Sequence, residues 1–378
     1  MQNSAGPVIY GNHCCCIKAN MKTCISIFIL AALFLAITPH SARATDTQQT
    51  KGDTTQPDGQ HDFDFAVGTW KTRVRRLLNS LSGSKNWVEG TGTVSTRKVW
   101  GGRAQLEELT MDTGDTHLKG LSLRLYNPKT HQWRLHWANA KKGALSDPPA
   151  FGAFKDRRGE FYDEEVINGK TVFVREIFSD ITPNSYHFEQ AFSEDQGETW
   201  EPNIIVDLTR TAADPAAESP TANDRNHDFD FNYGHWKVHV SRLDGQLVGS
   251  TKWLEYDGVS EVAPIWNGSA SLIEVQADGP AGRLEGLGRR LYDPEANQWN
   301  LNWASSRDGM IGIPPTVGTF KGGRGEFFDQ ELLDGRDIFV RNTYTDIKPT
   351  GARFEQAFSA DAGKTWEKNW VITFAREK

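Results

Sequence analysis

One half of this chain repeats the other. His61-Asp62-Phe63-Asp64-Phe65, two residues, then Gly68-Thr69-Trp70-Lys71 opens the first half, and His227-Asp228-Phe229-Asp230-Phe231, two residues, then Gly234-His235-Trp236-Lys237 opens the second. The offset is 166 residues (227 minus 61) and needs no insertion or deletion over roughly 150 residues. It brings Trp87 onto Trp253, Trp100 onto Trp266, Trp137 onto Trp303 and, at the end, Arg210 onto Arg376. A register kept over that length is a whole domain. The chain therefore carries two tandem copies, and 378 residues leave each copy enough material for its own core.

The copies set the other boundaries. Repeat 1 spans 61–211 and repeat 2 spans 227–378, joined by an Ala/Pro/Asp-rich linker at 212–226. Residues 21–44 have the form of a secretory signal: a short positive start at Met21-Lys22, an apolar run from Ile25 to Ile37, and a small-residue cleavage site at Ala42-Arg43-Ala44. That run is too short to span a bilayer, so no membrane span is expected once the signal is cleaved. Residues 1–20 fit no part of this and are read as an upstream extension, with Met21 the true start. Residues 45–60 are a polar, disordered lead. The expected location is the periplasm or the outside of the cell.

All four cysteines (Cys14, Cys15, Cys16, Cys24) precede the cut. The mature chain is thus expected to have no disulfide, thiolate metal site or cysteine nucleophile. A net charge of −7 without a basic block argues against nucleic acid as a partner.

Within each repeat the apolar signal has period two. Leu121, Leu123 and Leu125 alternate with Ser122, Arg124 and Tyr126 before Asn127-Pro128 turns the chain. Trp133, Leu135 and Trp137 alternate likewise. Asn168-Gly169, matched by Asp334-Gly335, is a two-residue hairpin signal. No stretch of ten or more residues carries a helical stripe. The pattern predicts an all-β protein with about eight to ten antiparallel strands per copy, as a barrel or a sandwich.

Two features favour the barrel. Gly68-x-Trp70 lies at the first strand and Arg210 at the last, and Gly234-x-Trp236 with Arg376 repeats the pair. This resembles the calycin superfamily of lipocalins, fatty-acid-binding proteins and their relatives. The resemblance implies two tandem calycin-like barrels, each with a tryptophan packed under an arginine that seals its floor. The run from His61 to Trp70, then Leu123 to Pro128, Gly159 to Asp163 and Phe188 to Ser193, is also similar to an uncharacterised bacterial domain family of unknown function. Ser193 to Trp200 and Ser359 to Trp366 resemble the Asp-box, a structural hairpin in which an aspartate caps the turn amides. Each half carries its own opening strand and closing arginine, so each is expected to fold alone.

The chemistry follows from residues kept in both copies. All 13 tryptophans lie inside the repeats. Trp133 and Trp137, with Trp299 and Trp303, share one strand face and are candidate cavity linings. Arg124, Glu160, Arg175 and Gln190, with Arg290, Glu326, Arg341 and Gln356, are candidate polar contacts for a ligand. If Asn168-Gly169 is a two-residue turn, Arg175 stands opposite Tyr162 and on the face of Glu160, while Asp163 and Glu165 face the other way. No catalytic set, metal site or cofactor is expected: His61, Asp62 and Asp64 read as a strand start with exposed acids. A shared haem ligand is disfavoured because His136 and His187 fall on Asn302 and Arg353.

The expected function is binding of a small hydrophobic or amphipathic molecule inside each barrel. One alternative is carbohydrate binding or chemistry on tryptophan platforms, with Glu160, Asp163 and Glu165 as paired carboxylates. Another is a pair of solid barrels acting as an interaction module.

Overall fold

The computed structural model describes residues 58–114, 116–214 and 227–377. The segments read above as upstream extension and signal, with all four cysteines, and nearly all of the expected lead and linker lie outside the described residues.

The first repeat contributes β1 (Gly68–Leu77), β2 (Trp87–Val99), β3 (Ala104–Thr113), β4 (Thr116–Asn127), β5 (Gln132–Asn139), β6 (Ala150–Lys155), β7 (Arg158–Ile167), β8 (Lys170–Ser179), β9 (Ser185–Ser193) and β10 (Glu201–Ala212). Each strand pairs antiparallel with the next, and β10 returns to β1, so the sheet closes on itself. The second repeat contributes β11 (Gly234–Leu243), β12 (Trp253–Ile265), β13 (Ala270–Gly279), β14 (Gly282–Asp293), β15 (Gln298–Ser305), β16 (Met310–Ile311), β17 (Thr316–Lys321), β18 (Arg324–Leu333), β19 (Arg336–Lys348), β20 (Gly351–Ser359) and β21 (Glu367–Arg376). It closes the same way through β21 on β11 and β14 on β15, with the short β16 laid against the end of β15. The protein is therefore all-β, two tandem closed ten-strand antiparallel barrels, and closure leaves no long sheet edge open to other chains. Among the described residues the helical elements are single 3₁₀ turns, and no helix is long and apolar enough to cross a membrane.

The motif that opens each copy is not a strand start. Asp64–Ala66 and Asp230–Asn232 form 3₁₀ turns ahead of β1 and β11. The turn breaks strand alternation and drops Phe63 into the barrel floor, fully buried, with Phe65 stacked on it at 6.0 Å between ring centroids. The histidines lie against local acids: His61 Nδ1 is 3.1 Å from Asp64 and His227 Nδ1 2.7 Å from Asp230.

The floor is built by the arginine of the last strand. Trp70 pairs with Arg210 across β1 and β10, and the guanidinium lies 4.0 Å from the indole centroid. Its N–H groups donate to the carbonyls of Phe65, Val67 and Pro183 at 2.6–2.7 Å. Arg376 does the same over Trp236 at 4.1 Å, donating to Phe231, Tyr233 and Pro349. Gly68 has φ +123°, and a Cβ there would stand 2.5 Å from Arg210 Nη1, so only glycine lets the arginine reach its carbonyls. The barrel resembles those of calycin type in closure and in this floor.

The leucines of β4 face outward. Leu121, Leu123 and Leu125 are fully buried, yet they lie in a cluster with Trp100, Leu106, Ile265, Trp266, Leu272, Leu287 and Leu291, residues drawn from both barrels. The wall of β2–β5 thus packs against the wall of β12–β15, which buries both faces of β4 and β14 over much of their length. Ser122 and Arg124 are left to face the interior. The contact is symmetric about a two-fold: Gly143 meets the carbonyl of Tyr292, and Gly309 meets the carbonyl of Tyr126, each pair being the other shifted by the repeat offset. A Cβ at Gly143 or Gly309 would come within 2.1 or 2.2 Å of those oxygens. Independent folding of the halves, expected from the sequence, did not anticipate this shared apolar face.

Candidate functional site

Both barrels are hollow above the floor. The first encloses a cavity of about 300 Å³ and the second one of about 250 Å³. They are built from equivalent wall positions. Trp137 and Trp303 form part of each lining, and Gly120 and Gly286 give them room: a Cβ there would overlap the indole at 2.1 and 1.7 Å. Apolar walls come from Leu109, Leu135, Phe188 and Val206 in the first barrel and from Val275, Leu301, Phe354 and Ile372 in the second.

Polar groups concentrate on the same inner face. In the first barrel Arg124 is 1% exposed and lies 4.5 Å from the centroid of Phe63. It forms a short ion pair with Glu107, while its Nε and Nη1 have no partner. Glu176 accepts from Gln190 Nε2 at 3.4 Å, and Asn203 donates to Gln190. Asp163 and Glu165 complete the polar lining. Burial, with the charges of Glu176 and Glu165 added, pushes Asp163 up to about 7. Burial likewise raises Glu176 to about 7, against the pull of Gln190 and Arg124. In the second barrel burial and Glu331 push Asp329 up to about 7.

These shifts have a consequence for stability. A carboxyl raised on folding stabilises the fold below its unfolded pKa and loses that contribution as pH rises through the folded value. For Glu176 the window runs from about 4.5 to about 7. Glu176→Gln is therefore expected to stabilise the chain by about 3 kcal/mol at pH 8 and to change it little at pH 4. Urea unfolding at the two pH values checks this, and an equal effect at both would contradict it.

The structure sorts the residues named from the sequence by strand parity. Arg124, Trp137 and Gln190, with Arg290, Trp303 and Gln356, come together on the cavities. Trp133 and Trp299 also point inward but sit lower, in the floor, edge-on to Phe63 at 5.2 Å and to Phe229 at 4.9 Å. Glu160 and Arg175 stand on the outer wall, because Phe161 and Asp163 occupy the inward positions of β7. The register Tyr162 opposite Arg175 is as expected. Glu160 bonds Arg158 and Tyr162, and Arg175 lies over Trp200 at 4.5 Å. Glu326 pairs with Arg324 and Arg341 covers Trp366 at 4.4 Å in the same outward arrangement. This corrects their placement as ligand contacts. Glu160 is also separated by the wall from Asp163 and Glu165, so it pairs with neither, while Asp163 and Glu165 share the cavity lining. Among the described residues no group of histidine, cysteine and acidic side chains could hold a metal ion.

Glu107 and Glu176 were not singled out from the sequence. Their counterparts are Ile273 and Asn342, so a search for charges kept in both copies passes over them. The outward leucines of β4 are the signal that the intervening residues face a cavity, but only once both sides of that wall are known to be buried.

Fold and cavities define a duplicated, closed ten-strand antiparallel β-barrel with hollow interiors of mixed polarity. No family model matches the chain, and no curated protein matches it. Among solved structures, an S-type phycobiliprotein lyase from Guillardia theta is 14% identical, covering 40% of this chain and 90% of its own, with a TM-score of 0.28. A DUF3598-family protein of unknown function from Nostoc punctiforme is 10% identical, covering 85% of this chain and 100% of its own, with a TM-score of 0.26. A transferrin-binding protein B variant from Haemophilus parasuis is 9% identical, covering 82% and 76%, with a TM-score of 0.14. At these scores none of them bears on what this chain binds.

Proposed function

We propose that this is an exported protein that binds a small amphipathic molecule in each barrel and performs no chemistry on it. The membership of an uncharacterised bacterial domain family and the location in the periplasm or outside the cell are parts of this reading. One observation carries it. At each cavity a guanidinium that is 1% exposed keeps N–H groups without a protein acceptor, beneath walls of leucine, phenylalanine and tryptophan. Leaving a buried donor unbonded costs about 1–3 kcal/mol, a cost that a ligand's polar end would remove. The apolar wall would take the rest of such a molecule.

Trp133 and Trp137 provide the test, since one belongs to the floor and the other to the cavity. In the full chain, Trp137→Ala is expected to weaken binding of Nile red to the first barrel by about tenfold or more, with a small loss of stability. Trp133→Ala is expected to cost about 3–5 kcal/mol of stability. Fluorescence titration and urea unfolding separate the two. Unchanged probe affinity in Trp137→Ala would contradict the reading.

A further inference from the structure

The two cavities share a frame but not a charge. In the first barrel the buried arginine is neutralised: Arg124 Nη2 is held by Glu107, and Glu176 lines the same space. In the second barrel both acids are gone, replaced at the equivalent positions by Ile273 and Asn342. Arg290 is nevertheless as buried as Arg124, at 1% exposure, and lies in the same way on aromatic rings, 4.0 Å from the centroid of Phe229.

Two further differences explain how it stays in place. Ala66 of the first barrel is replaced by Asn232, and Phe178 by Tyr344. Arg290 Nη2 donates to Asn232 Oδ1 at 2.7 Å and to the Tyr344 hydroxyl at 3.1 Å. A charged acceptor has thus been exchanged for two neutral ones. These orient the guanidinium without cancelling its charge, and its Nη1 has no partner. Asp329 and Glu331 also line this cavity, but burial favours their neutral forms, and neither is ion-paired to Arg290 among the described residues. A buried, oriented and uncompensated cation facing an apolar cavity has one favourable complement, an anionic group that enters with an apolar tail.

We infer that the two barrels are not equivalent: the second takes an amphiphile with an anionic head on Arg290, and the first, its arginine already paired with Glu107, rejects that ligand. This rests on the binding reading above and adds to it the charge class of the ligand for each barrel.

The test uses the full chain with dodecanoate and, as the uncharged control of equal length, dodecanol. Native mass spectrometry is expected to show two dodecanol per chain but one dodecanoate at concentrations that saturate the tight site. Ile273→Glu, which restores the first barrel's carboxylate beside Arg290, is expected to weaken dodecanoate at least tenfold more than it weakens dodecanol. The converse change, Glu107→Ile with Glu176→Asn, Ala66→Asn and Phe178→Tyr, is expected to raise dodecanoate to two per chain. Should that fourfold variant fail to fold, Ile273→Glu alone still decides. Dodecanoate bound twice by the unaltered chain with equal affinity, or unchanged by Ile273→Glu, overturns the charge assignment while the binding reading stands. Failure of dodecanol as well as dodecanoate to bind removes both.

Discussion

Replacing Trp70 with alanine is expected to destabilise the first barrel by about 3–5 kcal/mol, enough to unfold it at modest urea concentrations while the second barrel persists. Trp70 is fully buried, packs edge-on to Tyr186 at 4.8 Å, and donates its indole N–H to the Ala66 carbonyl at 2.8 Å. Its removal also takes away the face on which Arg210 lies. The arginine keeps two of its three carbonyl acceptors, Phe65 and Val67, only while the 3₁₀ turn and its closing residue stay in place, and the indole is what holds that turn down. Urea unfolding of the full chain is expected to split into two transitions. Trp236→Ala should produce the mirror result, with the second barrel melting first. A single unshifted transition in either variant would show that the floor does not close the barrel.

The second large effect concerns the wall between the barrels. Residues 58–214 and 227–377, produced separately, are expected to associate rather than remain monomeric, and to form a one-to-one complex when mixed. Leu121, Leu123 and Leu125 alone would each expose a side chain whose burial is worth about 1.5–3 kcal/mol. The face is also self-complementary in kind, since the native contact already relates one copy to the other by a two-fold. A partly buried ion pair at its rim, Arg103 with Glu285, would become Arg103 against Lys119 or Ser269 against Glu285 in the two homodimers, which favours the mixed complex over either. Sedimentation of the separate and mixed halves reads this directly. Two stable monomers that ignore each other would mean that the shared cluster contributes little.

The fold was legible for a specific reason. Strand period, hairpin residues such as Asn168-Gly169 and the repeated Gly-x-Trp with its arginine are all local signals, and each copy restates them. Which face of each strand looks inward is not local. Leu121, Leu123 and Leu125 carry the strongest apolar alternation in the chain, yet they face the other barrel, because β4 is buried on both sides. That leaves Arg124 facing the cavity and, on β7, Asp163 rather than Glu160. The opening His-Asp-Phe-Asp-Phe reads as alternation in the sequence but forms a 3₁₀ turn, whose buried Phe63 is held among Trp133, Phe161 and Phe178 by contacts far apart in the chain. Retention in both copies was a sound guide to the frame and a poor one to specificity. The residues that distinguish the cavities, Glu107 against Ile273 and Glu176 against Asn342, are by nature the ones that duplication has not kept.

The account depends most on the barrels being hollow vessels that each hold one molecule, and titration of the full chain with dodecanol under native mass spectrometry tests that most directly. The mass should rise by two dodecanol per chain and then saturate, with one equivalent lost in Trp137→Ala and the other in Trp303→Ala. A chain that takes up no dodecanol, or takes it up without limit and without regard to either tryptophan, would contradict it.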